Sequence, residues 1–209
     1  MIKITNECNM KLMARYEDNH FDLAIVDPPY GIDVTKMNMG GRKRNESDKE
    51  KSWDTGVPGQ EYFKELFRVS KNQIIWGGNY FDLPCSQYFA IWDKAETMYG
   101  RSFAECEYAW VRSGGTRIYK KNPNQLDRIH PTQKHTSLYE FCLKNYAKEG
   151  DKILDTHGGS LSIALAVHNV NIKDNMKLTL DVCELDKDYY LEGKKRYSNH
   201  IQQKTIFDI

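Results

Sequence analysis

The stretch Phe21-Asp22-Leu23-Ala24-Ile25-Val26 ends abruptly at Asp27-Pro28-Pro29-Tyr30-Gly31, and this junction constrains the fold more than any other part of the chain. A short, nearly continuous apolar run is the pattern of a strand covered on both faces, as in a parallel sheet. Two consecutive prolines then fix φ and remove two N–H donors, so the backbone can neither continue a ladder nor turn into helix. The sequence therefore places a carboxylate and an aromatic ring on a rigid loop at the end of a buried strand.

The rest of the chain alternates in a way that extends this architecture. Apolar residues at helical spacing from Gln60 to Val69 lead to a strand over Gln73–Trp76, stopped by Gly77-Gly78. Tyr88–Trp92 and Glu107–Val111 read as two more strands, and Thr116–Tyr119 as a short third. A helical pattern over Leu138–Tyr146 runs through Gly150 to the strand Lys152–Asp155. After it come a Thr156-His157-Gly158-Gly159-Ser160 turn, an apolar helix over Leu161–Val167, a strand over Leu178–Cys183 ending at Glu184, and a last helix containing Tyr189 and Lys194-Lys195-Arg196. Strand, glycine turn, helix, strand and acidic residue make a nucleotide-binding βαβ half. Residues 33–56 hold Gly40-Gly41-Arg42-Lys43-Arg44 and few apolar side chains, and read as a mobile loop.

Composition narrows the class further. With 209 residues the chain suits one compact domain. Thirty basic against twenty-nine acidic residues give a net charge of +1, so any nucleic-acid contact must come from a local patch. The five cysteines are widely spaced without a C-x-x-C pair, which suggests neither a disulfide framework nor a metal site. No stretch has the length of a membrane span or a signal-peptide core, so the expectation is a soluble cytoplasmic protein with no membrane partner.

Two constellations carry chemistry. Gly158-Gly159 permits close backbone approach to a ligand, and Glu184 stands where a carboxylate would accept hydrogen bonds from a ribose diol. Together they suggest an adenosine-containing ligand, and the absence of G-x-G-x-x-G disfavours a dinucleotide. At the other constellation, Asp27 and the carbonyl of Pro28 supply two acceptors while Tyr30 offers a stacking face, which suits an exocyclic amine on a flat base. The same tetrapeptide in an ordinary loop is a capping aspartate before a proline turn; the apolar strand ahead of it argues against that reading.

Asp27-Pro28-Pro29-Tyr30, His130-Pro131-Thr132-Gln133-Lys134 and Asp155-Thr156-His157-Gly158-Gly159-Ser160, in this order, resemble the β-class amino-methyltransferases of DNA. The resemblance implies a Rossmann-like α/β methyltransferase fold: a mostly parallel seven-stranded sheet, helices on both faces, and the catalytic half preceding the cofactor half. It implies one methyltransferase domain over 1–209, with a small target-recognition segment at about 95–125. It implies S-adenosylmethionine as cofactor and double-stranded DNA as substrate, with N6 of adenine the target because aspartate opens the catalytic motif, and N4 of cytosine the alternative.

By the same resemblance, Asp27, Pro28, Pro29 and Tyr30 are the catalytic set. Asp27, Thr132, Lys134, Asp155, His157, Gly159, Ser160 and Glu184 surround the cofactor, Thr132 and Lys134 at its carboxylate and Glu184 at its ribose. Arg42, Lys43, Arg44, Arg117, Lys120 and Lys121 are candidates for phosphate contacts, with a solvated surface as the plain alternative. Trp76-Gly77-Gly78-Asn79-Tyr80 resembles a segment lining the target-base pocket. A homodimer and a cognate restriction enzyme are the further partners that chains of this type suggest. The glycine turn departs from the family pattern at Thr156, His157 and Leu161, the last standing where the family has glycine. Leucine carries a Cβ, so a backbone needing positive φ there is expected to take a different path. That departure motivates one rival, a methyltransferase-like binding protein without catalysis; methylation of RNA or of a protein amide is the other.

Overall fold

The computed structural model describes residues 1–33, 54–102, 104–125 and 127–205. Along the chain the elements are β1 (Ile2–Asn6), α1 (Asn9–Met13), β2 (Phe21–Val26), α2 (Gln60–Val69), β3 (Ser70–Trp76), β4 (Tyr88–Asp93), β5 (Cys106–Val111) and β6 (Arg117–Lys120). They continue with α3 (Thr136–Tyr146), β7 (Lys152–Asp155), α4 (Ser162–Asp174), β8 (Thr179–Glu184) and α5 (Lys187–Thr205). The strands form one sheet in the order β1-β8-β7-β2-β3-β5-β4-β6. Every neighbouring pair is parallel except those that β5 makes with β3 and β4, so β5 alone runs against the rest.

The alternation along β2 shows why the sheet is covered on both sides. Leu23 and Ile25 pack into a cluster with Leu138 and Leu143 of α3 and Ile163 and Val167 of α4. Ala24 and Val26 point the other way, onto Leu12 and Met13 of α1 and Phe63 and Leu66 of α2. Each fully buried aliphatic side chain of this kind contributes about 1.5–3 kcal/mol relative to exposure.

The sheet is mostly parallel, as expected, but has eight strands among the described residues rather than seven. The additional one is β1, an edge strand pairing only with β8, whose Ile2-Lys3-Ile4-Thr5 alternation is too short and too lightly buried to stand out. β3 begins at Ser70 instead of Gln73, because Ser70 and Gln73 satisfy one another and the end of α2: Ser70 Oγ donates to the Leu66 carbonyl at 2.5 Å and Gln73 Nε2 to the Ser70 carbonyl at 2.6 Å. α4 runs beyond Val167 to Asp174, with the polar residue Asn169 buried and bonded to His200 of α5 at 2.8 Å. The segment at about 95–125 contains β5 and β6, so much of it is woven into the main sheet.

The order of strands decides where a ligand can sit. From β2 the chain crosses by α2 to β3 on one side, and from β7 it crosses by α4 to β8 on the other. β2 and β7 are adjacent and parallel, so their C-terminal ends flank the switch point where such sheets open a crevice. Asp27 follows one of these strand ends and Asp155 closes the other.

Candidate active site

A cleft of about 920 Å³ opens at that switch point. It is lined at one end by Asp27, Pro28, Pro29, Tyr30, Lys94, Glu107 and Lys134, and at the other by Asn9, Thr156, His157, Gly158, Gly159, Ser160 and Glu184. Thr132 lies on its wall, its hydroxyl 3.2 Å from His130 Nδ1. The structure thus brings the expected catalytic and cofactor residues to one cleft, although they come from segments far apart in the chain; the exception is Asp155, which is fully buried and does not line it.

At the first end, Asp27 is held by two donors. Tyr30 Oη donates to Asp27 Oδ1 at 2.7 Å and Lys134 Nζ to Asp27 Oδ2 at 2.6 Å, with Lys134 also 3.1 Å from Tyr30 Oη. Lys134 was expected at the cofactor's carboxylate; its ammonium instead lies between Asp27 and Glu107 Oε2, the latter at 3.2 Å. The reason is burial. A lysine side chain only 3% exposed requires carboxylate partners, and β5 brings Glu107 beside it. Lys94 Nζ closes the array at 3.0 Å from Glu107 Oε1.

The charges in this array follow from it. Burial pushes the Asp27 carboxyl above its ordinary value, with Lys134 pulling it down and Glu107 pushing it up. Burial also works against charge on Glu107 and on Lys134, yet Lys134 and Lys94 hold Glu107 below its ordinary value, and Asp27 and Glu107 hold Lys134 above its own. Tyr30 is driven well above the ordinary tyrosine value by burial and the two carboxylates, and stays a neutral donor.

The Tyr30 ring, expected as a free stacking face, carries Tyr80 on one side, with centroids 4.8 Å apart and planes 9° from parallel. Gly77 makes this possible: it is left-handed at φ +71°, and a Cβ there would overlap the Tyr30 ring. Trp76 is fully buried in the core, and Lys134 Nζ lies 5.5 Å from the ring centroids of both Trp76 and Tyr30. Asp54 fastens the loop after the prolines, accepting from Gly31 N at 2.9 Å.

At the second end, backbone N–H groups do most of the holding. Gly159 N donates to Glu184 Oε2 and Asp186 N to Glu184 Oε1, both at 2.7 Å. His157 N donates to Asp155 Oδ1 at 2.9 Å, while Asp155 Oδ2 has no hydrogen-bond partner among the described residues. Burial, with the charges of Asp27 and Glu184, pushes the Asp155 carboxyl up to about 8. Burial alone pushes His157 down to about 4, so its ring is neutral. That ring is wedged between Asn9 Nδ2 at 3.1 Å from Nε2 and Thr156 Oγ1 at 3.0 Å from Nδ1, with Tyr62 Oη 2.7 Å from Thr156 Oγ1. Ser160 lines the cleft, its hydroxyl meeting Ser162 Oγ at 3.0 Å.

Leu161 corrects an expectation. The backbone there does adopt the left-handed region, at φ +56°, with a leucine in place. This conformation costs roughly 1–2 kcal/mol, which the complete burial of the side chain offsets. Two glycines make the room: a Cβ at Gly158 would lie 2.8 Å from Leu161 Cδ2, and one at Gly193 of α5 2.8 Å from Leu161 Cγ. The turn keeps its shape because these neighbours gave up their side chains.

The basic candidates divide. Arg42, Lys43 and Arg44 lie outside the described residues. Lys120 pairs with Glu96, and Lys121 donates to Ser137 Oγ at 2.8 Å. Arg117 is not brought to the cleft: it begins β6, whose C-terminal end faces the cleft edge of the sheet, and its Nε meets Asn145 near the far end of α3 at 3.3 Å. Sequence reasoning also passed over Glu107, Lys94, Asn9 and Tyr62. Glu107 carried a faint signal, a charged residue at the start of an otherwise apolar strand.

Comparison with known proteins agrees with this fold. Residues 86–195, more than half of the chain, match the family model for DNA methylases of the N6/N4 type. No curated protein matches. Among solved structures, the M1.HpyAVI–SAM complex is 18% identical with a TM-score of 0.58, over 94% of this chain and 98% of that one. The cytosine-N4-specific PvuII DNA methyltransferase is 10% identical at a TM-score of 0.58, over 94% and 86%. TTHA0409, a putative DNA modification methylase from Thermus thermophilus, is 15% identical at a TM-score of 0.56, over 96% of both chains.

Proposed function

The chain belongs to the N6/N4 DNA methylase family, and on that premise we propose that it methylates N6 of adenine in double-stranded DNA with S-adenosylmethionine as donor. The observation that carries this reading is Asp27, set at the switch point by Tyr30 and Lys134 with one donor on each oxygen. A carboxylate has about four acceptor sites, so two remain for an amine. Asp27 and the Pro28 carbonyl would hold the two N–H bonds of an exocyclic amine and turn its lone pair toward the second end of the cleft. A base reaches this depth only by leaving the helical stack.

The second end fits the donor. S-adenosylmethionine, when bound, supplies an activated methyl group on a cationic sulfur. Glu184, aligned by two backbone N–H groups, retains acceptor sites for a ribose diol. Asp155, which ends β7 next to the lining residue Thr156 without itself lining the cleft, keeps a buried oxygen without a partner among the described residues, and two of the similar structures are complexes with this same donor. His157 and Asn9 wall the cleft there, while Lys134 is committed to Asp27 and Glu107 and leaves Thr132 on the wall beside it.

The test is incubation of the purified protein with labelled S-adenosylmethionine and unmethylated genomic DNA, followed by nucleoside analysis. N6-methyladenine is the expected product. N4-methylcytosine would transfer the reading to the other base, which the aspartate opening the motif disfavours, and label entering RNA or protein but not DNA would overturn it.

A further inference from the structure

Four side chains from four separate segments form a linear array of alternating charge: Lys94 after β4, Glu107 on β5, Lys134 before α3 and Asp27 after β2. Methyl transfer to an amine, the reading on which this inference rests, requires only that Asp27 accept hydrogen bonds. Lys134 alone would oppose this. An ammonium 2.6 Å from Asp27 Oδ2 in a side-chain environment 3% exposed would draw the carboxylate's electron density to itself and weaken it as an acceptor. Glu107 divides that ammonium between two carboxylates, and Lys94 keeps Glu107 ionised so that it can do so.

We infer that Glu107 is a positioning residue for methyl transfer, sharing Lys134 with Asp27 so that Asp27 is held in place yet remains a competent acceptor for the target amine. The antiparallel run of β5 supports this. Glu107 is the second residue of that strand and sits opposite Trp92 near the end of β4, so the reversed strand delivers a carboxylate to the same sheet edge as Asp27. Among the described residues, the other groups whose charge is felt at Asp27 are Tyr30 on its own loop, Tyr139 from α3 and Asp155 from β7; both tyrosines stay neutral, leaving Lys134 as the described cation in contact.

The array makes a prediction of opposite signs. Glu107→Gln removes a like charge from the neighbourhood of Asp27 and releases Lys134 to it, so Asp27 should titrate at lower pH. Lys94→Met removes a cation and leaves Glu107 less compensated, so Asp27 should titrate at higher pH. The measurement is carboxyl NMR of the full chain labelled with 13C-aspartate, in wild type and both variants, alongside donor affinity by calorimetry and the pH dependence of kcat. The expected result is the pair of opposite titration shifts. In Glu107→Gln, kcat at the plateau should fall at least tenfold, the acid limb of the profile should move to lower pH, and donor Kd should stay within twofold. A loss of packing alone would not move the titration in opposite directions in the two variants. Unchanged titration of Asp27 in both variants would overturn the inference, as would a weakened donor Kd with kcat retained, which would assign Lys134 to the donor. If the wild-type protein methylates no DNA, the methyl-transfer reading fails by itself, and the titrations still decide whether Glu107 governs Asp27.

Discussion

At the Asp27 end of the cleft two carboxylates, Asp27 and Glu107, share two lysines, whereas at the Asp155 end two carboxylates, Asp155 and Glu184, meet backbone N–H groups and form no ion pair among the described residues. Both ends bury carboxyl groups, and holding such a group ionised away from water is costly unless its charge is matched. The first end is matched from within the protein, so its geometry is set before any substrate arrives. The second is matched only in part: an Asp155 oxygen is left without a partner among the described residues and the carboxyl is raised to about 8. A cleft neutral at one end and short of a cation at the other favours a cationic ligand near Glu184 and the buried Asp155 and a neutral amine beside Asp27.

The substitution that tests the first end most severely is Asp27→Ala. It should lower methyl transfer by about 10³-fold while leaving donor affinity within twofold, because it removes the acceptor that orients the amine. Steady-state rates with calorimetry check this, and an unchanged rate would remove Asp27 from the reaction. Lys134→Met addresses the matching of charge directly. It leaves Asp27 and Glu107 buried together without the shared cation and should cost about 3 kcal/mol in urea unfolding at neutral pH.

At the second end the effects should be smaller, because backbone groups remain in place. Glu184→Gln should weaken donor binding about tenfold through loss of charge-assisted hydrogen bonds, with kcat nearly preserved. The subtlest test is of proton release. Asp155, raised to about 8 in the free protein, is largely protonated at pH 7; a cationic ligand beside it favours the ionised form and so expels a proton. Donor affinity should therefore rise with pH up to about 8 and level off above it. Calorimetry at pH 7 in buffers of different ionisation enthalpy should detect a fraction of a proton released per donor bound, and heats independent of buffer would detach Asp155 from the ligand.

The elements legible in the sequence were those whose causes are local. The β2 strand and its proline stop, the Gly158-Gly159 turn and the acidic end of β8 each follow from backbone chemistry within a few residues. β1 escaped notice because a short edge strand is stabilised by its neighbour β8 rather than by its own pattern. Leu161 misled because a residue-by-residue rule cannot see that glycines on either side of it in space, Gly158 and Gly193, clear a seat for its side chain.

Local chemistry along the chain dictates an α/β sheet with a rigid Asp-Pro-Pro-Tyr loop at one strand end and a glycine turn with its acidic partner at another, since φ restriction, missing donors and hydrophobic period act between near neighbours in sequence. Packing across the sheet sets the rest: β5 runs antiparallel between β3 and β4, Glu107 and Lys94 thereby join Lys134 at Asp27, and Tyr80 covers Tyr30. A buried charge takes the partner that packing sets within about 4 Å of it, and this distance depends on strand order and direction, not on spacing along the chain.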